Sequence, residues 1–179
     1  MEIEHTSSPN SQDIDFLTEK INEETPEFGA SYPFAFFIRD NHGKIIAGAN
    51  GSVVFGAIYT DQLWVDRDHR KAGLGRKLME QVENYGRSVG CTTATVATMS
   101  FQGAQKFYEK LGYIVDFERK GYVNDSSCLF LRRNLSHSNQ TGKSKWAISI
   151  TRMSGRANGA MSKFVSNQIL IIFTFSDFI

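Results

Sequence analysis

Between Arg70 and Gly75 the sequence reads RKAGLG, and the hydrophobic rhythm changes across it. Before it, IYTDQLWV (58–65) is β-branched and aromatic, the texture of a strand. After it, Leu74, Leu78, Met79, Val82, Tyr85 and Val89 fall at helical spacing, and Gly90 supplies a left-handed stop. A strand therefore runs through a two-glycine turn directly into a long amphipathic helix. At such a junction the first helical N–H groups have no acceptor and the positive end of the helix dipole points at the turn. Both favour an anion there.

Three phosphate-binding templates bear on this turn. The nucleoside-triphosphate loop needs four residues between its glycines, whereas Gly73 and Gly75 are separated by one and followed by Arg76, Lys77 and Leu78. The dinucleotide fingerprint needs a third glycine where Leu78 stands, and a parallel βαβ unit where hairpins are expected. The pattern Arg-x-x-Gly-x-Gly, Arg70 to Gly75, fits: glycines let a pyrophosphate approach the backbone, and Lys71, Arg76 and Lys77 add screened Coulomb attraction.

Elsewhere the chain alternates short strands and helices. SQDIDFLTEKINEE (11–24) sets Ile14, Leu17 and Ile21 three and four apart, which predicts an amphipathic helix ending before Pro26. FAFFIR (34–39), the turn DNHG and KIIAGA predict a hairpin, and SVVFGAIYTDQLWV continues as two strands turning near Gly56. Ile58 is out of phase with Leu63 and Val65, because residues on one strand face differ by even numbers. A β-bulge near Tyr59 to Asp61 restores the phase. CTTATVATM (91–99) predicts a strand, and Ser100 is placed to cap a helix carrying Ala104, Phe107, Tyr108 and Leu111, stopped by Gly112. YIVDFER (113–119) and SCLFLRRNL (127–135) predict two closing antiparallel strands. The expected order is β-α-β-β-β-α-β-α-β-β. That is an α+β fold: a mixed, mostly antiparallel sheet of six or seven strands flanked by helices, over residues 1–136.

Charge divides the chain in the same place. Residues 1–136 carry 15 Lys and Arg against 18 Asp and Glu, a net of −3; residues 137–179 carry five against Asp177 alone, a net of +4. The later segment is rich in Ser, Asn and Gly and ends in ILIIFTFSDFI, which predicts a basic, poorly ordered tail with an apolar end. An overall net charge of +1 argues against a nucleic-acid binder. Cys91 and Cys128 have no basic partner in sequence and form no disulfide framework, and the four histidines show no metal-ligand spacing, so no metal is expected. The N-terminus MEIEHTSSPN is unlike a signal peptide, and the longest apolar run, ILIIF (169–173), is too short to span a bilayer. Together these predict a reducing, cytoplasmic location.

LWVDRDHRKAGLGRKLMEQVENYGRSVGC, followed by MSFQGAQKFYEKLGYIVDFE, resembles the two halves of the GNAT superfamily, the Gcn5-related N-acetyltransferases, in their usual order. The resemblance covers residues 2–135. It implies the acyl-CoA N-acyltransferase fold, acetyl-CoA as acyl donor, and transfer to a primary amine of a small molecule or protein by direct attack in a ternary complex. In this family two central strands splay and the pantetheine arm lies in the gap, bonded by strand backbone. Carried over, Leu63, Trp64 and Val65 serve the arm, and Arg70, Lys71, Ala72, Gly73, Leu74, Gly75 and Arg76 serve the pyrophosphate. Ser100 and Ala104 fall at further cofactor-facing positions. Tyr108 matches the residue whose hydroxyl lies near the sulfur, hence a general acid. Tyr59 aligns where some members carry a basic glutamate, and Asp61, two residues on, is the candidate base acting through water; Glu27, Asp40 and His42 are lesser options. The resemblance also offers a homodimer as an expectation, and a non-catalytic acyl-CoA-binding module as the alternative function.

Overall fold

The computed structural model describes residues 2–136. Its elements in chain order are α1 (Ser11–Glu24), β1 (Tyr32–Arg39), β2 (Ile45–Val54), β3 (Ala57–Val65), α2 (Leu74–Ser88), β4 (Thr93–Met99), α3 (Gln105–Glu109), β5 (Ile114–Lys120) and β6 (Ser127–Asn134). The six strands make one sheet in the order β1-β2-β3-β4-β6-β5, antiparallel throughout except for the parallel pair β3/β4. The expected mixed, mostly antiparallel α+β architecture is therefore observed.

One expected strand is missing. Residues 2–10 form no strand, so α1 is the first regular element. Ile3, the one large apolar residue of EIEHTSSPN, is 97% exposed, and a single exposed side chain cannot give a strand a buried face. Helix α1 forms where predicted but buries none of its residues, its stripe being only Ile14, Leu17 and Ile21. Its C-terminal end is tied to the start of β1 by polar bonds instead. Asn22 Nδ2 donates to the Ser31 carbonyl at 2.9 Å, and the Ser31 amide donates to Asn22 Oδ1 at 2.8 Å. The expected tail over 137–179 lies outside the described residues.

The core lies between the sheet and α2. Ala47, Ala49, Ile58, Ala94 and Val96 face Leu78, Met79 and Val82, each at most 3% exposed. Alanines on the sheet let the helix come close, and Gly86 lets it closer: a Cβ there would stand 2.8 Å from Ile58 Cγ2. Burying each large aliphatic side chain stabilises the fold by about 1.5–3 kcal/mol. A carboxylate shares this interface. Glu83 of α2 is 3% exposed and accepts from Arg133 Nη1 of β6 at 2.9 Å, with Arg87 Nη2 at 3.5 Å.

The bulge expected from the phase of Ile58 is present. Asn50 pairs with Gln62 and Gly51 with Thr60, leaving Asp61 as the unpaired extra residue of β3. Gly51 has no alternative here, since a Cβ on it would stand 1.9 Å from the Tyr59 carbonyl oxygen. From the same point β3 loses its parallel partner. Only Ala57 to Thr60 pair with Thr93 to Val96, although β3 continues to Val65 and β4 to Met99. Gly51→Ala is expected to destabilise the fold by about 3 kcal/mol or more, because the obstacle is backbone that no rotamer can clear; urea unfolding beside wild type measures it.

Candidate active site

Beyond Thr60 and Val96 the two parting strands leave a cleft of about 1030 Å³, large among ligand pockets. Its β3 wall can be read from the register. The Asp66 amide donates to the Ile46 carbonyl at 2.9 Å, and Trp64 stands opposite Gly48. Antiparallel bonding alternates, so Trp64 turns its backbone to β2, and Leu63 and Val65 turn theirs into the gap. Arg70 Nε donates to the Val65 carbonyl at 3.1 Å. The gap is thus left with both backbone groups of Leu63 and the N–H of Val65. Trp64, a residue 48% exposed, lines the cleft with its backbone turned to β2, not into the gap as expected.

The cleft runs into the start of α2. Gly73 precedes the helix at φ +78°, and Lys71 is also left-handed at φ +63°. Such alternation turns successive amides inward to make a concave anion site. The first amide of α2 bonded within the helix is that of Lys77, which donates to the Gly73 carbonyl at 3.0 Å. No side chain caps this end, so the amides of Leu74, Gly75 and Arg76 lack helical acceptors. The first turn carries Arg76 and Lys77 and no acid, the reverse of what a helix dipole prefers. A bound anion removes that conflict, and a pyrophosphate fits the chemistry of the turn. Ala72 lies in the loop without lining the cleft. At the rim, the carboxylate of Asp66 accepts from the Asp68 amide at 3.0 Å and stands 3.3 Å from His69 Nδ1; these two contacts hold its pKa below the usual carboxylate value.

Tyr108 and Asp61 line the same cleft. Tyr108 is 6% exposed, with Phe107 and Tyr113 edge-on at ring distances of 5.1 and 5.8 Å. Its carbonyl accepts from the amides of Leu111 and Tyr113 at 2.9 and 3.1 Å, and Gly112 turns the chain at φ +88°. The helix end is thereby locked onto the tyrosine. Burial pushes the Tyr108 phenol up to about 12, so it stays protonated at neutral pH. Burial also raises the Asp61 carboxyl above its ordinary 3.8. Since Asp61 is itself the bulged residue, it does not continue the alternation that would set it on the Tyr59 face.

Two sequence expectations change on the opposite wall. Ser100 neither caps α3 nor lines the cleft; its Oγ accepts from the Ser127 amide at 3.1 Å, and α3 starts at Gln105 without a side-chain cap. Thr98 and Gln102, which no motif singled out, line the cleft beside Ala104. Thr98 belongs to an alternating strand, and Gln102 to the turn before a helix, so both read in sequence as ordinary scaffold. Phe107 packs partly buried against the core, as its helical spacing with Tyr108 and Leu111 predicts, and it serves the cleft as well. Its ring reaches the cleft and comes within 3.4 Å of where a Cβ on Gly75 would be.

Among the described residues, no cluster of three or more His, Cys, Asp or Glu could hold a metal, and no helix is long and apolar enough to cross a membrane. Over 81 residues the chain is 36% identical to a blasticidin-S acetyltransferase of Streptomyces morookaense, a match covering 45% of this chain and 59% of that protein's length. An acetyltransferase structure from Bacillus cereus ATCC 14579 superposes with a TM-score of 0.58 at 23% identity, covering 73% of this chain and 97% of the other. A Bacillus anthracis structure in complex with acetyl coenzyme A, assigned as a streptothricin acetyltransferase, gives 0.52 at 19% identity over 57% and 62%. These superpositions show the shared fold. Residues 2–113 match the Acetyltransferase (GNAT) family, and the chain belongs to it.

Proposed function

We propose that the chain is an acetyl-CoA-dependent N-acetyltransferase that moves the acetyl group to a primary amine by direct attack in a ternary complex. The observation that carries this reading is the continuity of one cleft. It joins an uncapped, glycine-bearing helix start to a gap edged with free strand backbone, and a buried phenol stands on its wall. The loop from Arg70 to Arg76 would hold a pyrophosphate, and the Leu63 and Val65 backbone an amide-bearing arm. Acetyl-CoA supplies a thioester carbonyl with a thiolate leaving group.

In the reaction a C–N bond forms, the C–S bond breaks, and the amine loses one proton while the sulfur gains one. Asp61 serves as the base through water, its raised pKa bringing it closer to the proton it must take. Tyr108 holds the proton at the leaving group. At about 12 its phenol is a weaker acid than a thiol, which ionises near 8.5, so it first donates a hydrogen bond to the developing sulfur charge. Tyr108→Phe is expected to lower kcat by about 100-fold with the KM for acetyl-CoA little changed, the range for one positioned acid. Steady-state rates with a free-thiol reporter and an amine panel test it. Wild type that binds acetyl-CoA yet turns over no amine would be the acyl-CoA-binding module instead.

Protonating Asp61 should lower kcat on the acid side, with a midpoint above 3.8, and Asp61→Asn should remove that inflection. For the cradle, Gly73→Asp is expected to weaken acetyl-CoA binding more than tenfold, about 1.4 kcal/mol. Gly73→Asn, equally tolerant of φ +78°, should stay closer to wild type. Equal affinities for the two variants in calorimetry would remove the anion from the helix start.

A further inference from the structure

The cleft wall facing Leu63 carries one side chain held in place with its donors free. Gln102 Oε1 accepts two hydrogen bonds, from Thr98 Oγ1 at 2.9 Å and from the Met99 amide at 2.9 Å. The Met99 amide needs an acceptor, which decides which end of the carboxamide is oxygen. Thr98 is only 6% exposed, so its hydroxyl has little water to turn to. The carboxamide plane is therefore set, and the two N–H groups on Nε2 have no acceptor among the described residues. Gln102 lines the cleft with Ala104 and Tyr108. An amide whose orientation is already fixed loses little entropy when it binds.

We infer that Gln102 is a ligand of the acyl donor, its Nε2 donating to a carbonyl oxygen of the acyl-pantetheine arm. This rests on the acetyl-CoA reading above. The chemistry of the gap selects that partner. Leu63 and Val65 already offer strand backbone for an extended, amide-bearing chain, and such a chain has carbonyls on both sides. A neutral donor suits a neutral carbonyl, whereas the phosphates have the basic loop. Thr98 is then a positioning residue, acting through Gln102.

A purely structural Gln102 would brace the turn after β4 through Oε1 alone, and Gln102→Glu separates the two roles. A carboxylate keeps both accepted bonds and loses both donors. The variant is expected to melt like wild type and to bind acetyl-CoA about tenfold more weakly by calorimetry. The loss should persist in 1 M NaCl, where charges are screened within about 3 Å, so that repulsion by the new carboxylate is not its cause. A loss for acetyl-CoA alone places the bond at the acyl carbonyl; an equal loss for CoA places it at a pantetheine amide. Thr98→Val, leaving Gln102 held only by the Met99 amide, should weaken binding by a smaller factor and serves if Gln102→Glu does not fold. Unchanged affinity in the folded variants at high salt overturns the inference while the acetyl-CoA reading stands. Wild type that binds neither ligand overturns both.

Discussion

One extra residue in β3 governs the rest of the molecule. With Asp61 inserted against Asn50 and Gly51, every later side chain of the strand changes face relative to the earlier ones. Ile58 and Thr60 on one side of the insertion, and Leu63 and Val65 on the other, can then lie toward α2 together. The bulge also bends the strand, and its parallel pairing with β4 stops at the residue before it. A β3 bonded to β4 along its full length would leave no gap. Gly51 is the counterpart that makes it sterically possible, since the Tyr59 carbonyl occupies the space of a side chain.

The second half of the site depends on an arrangement that is unfavourable alone. Basic residues in the first turn of α2 oppose its dipole, and the amides there are left without a cap. These are the conditions under which a helix start binds an anion rather than stabilising itself. Packing carries this end of the cleft to the other. Gly75 has no side chain, so Phe107 lies against the first turn of α2, and Phe107 meets Tyr108 edge-on at 5.1 Å. The tyrosine and the loop are separated in sequence by a helix, a strand and a turn, yet one ring joins them.

Most of the sheet was legible in the residues because period and phase report burial directly. The bulge could be located from a single mismatch between Ile58 and Leu63, and the loop from glycine spacing. Signals failed where no periodic burial stands behind them. The segment before α1 offers one apolar residue, Ile3, and no face to bury, and it forms no strand. Ser100 has the residue type of a cap but spends its hydroxyl on Ser127, a partner 27 positions away that local pattern does not show. Trp64 was grouped with its neighbours, although strand alternation turns its backbone to β2. Gln102 was missed because its importance lies in which end of a carboxamide is occupied, and composition is blind to that.

Strand β4 has the parallel β3 on one side and β6, the last strand described, on the other. Glu83 likewise finds its 2.9 Å partner, Arg133, 50 positions further on. During synthesis the N-terminal part of the sheet and α2 are therefore made before the residues that close β4 and neutralise the buried carboxylate. Until β6 emerges, a β-branched strand has an open edge and an acid faces a nascent core. Completion of the domain is thus coupled to the arrival of residues near 134, and a ribosome that stops short of them leaves an adhesive edge rather than a smaller domain.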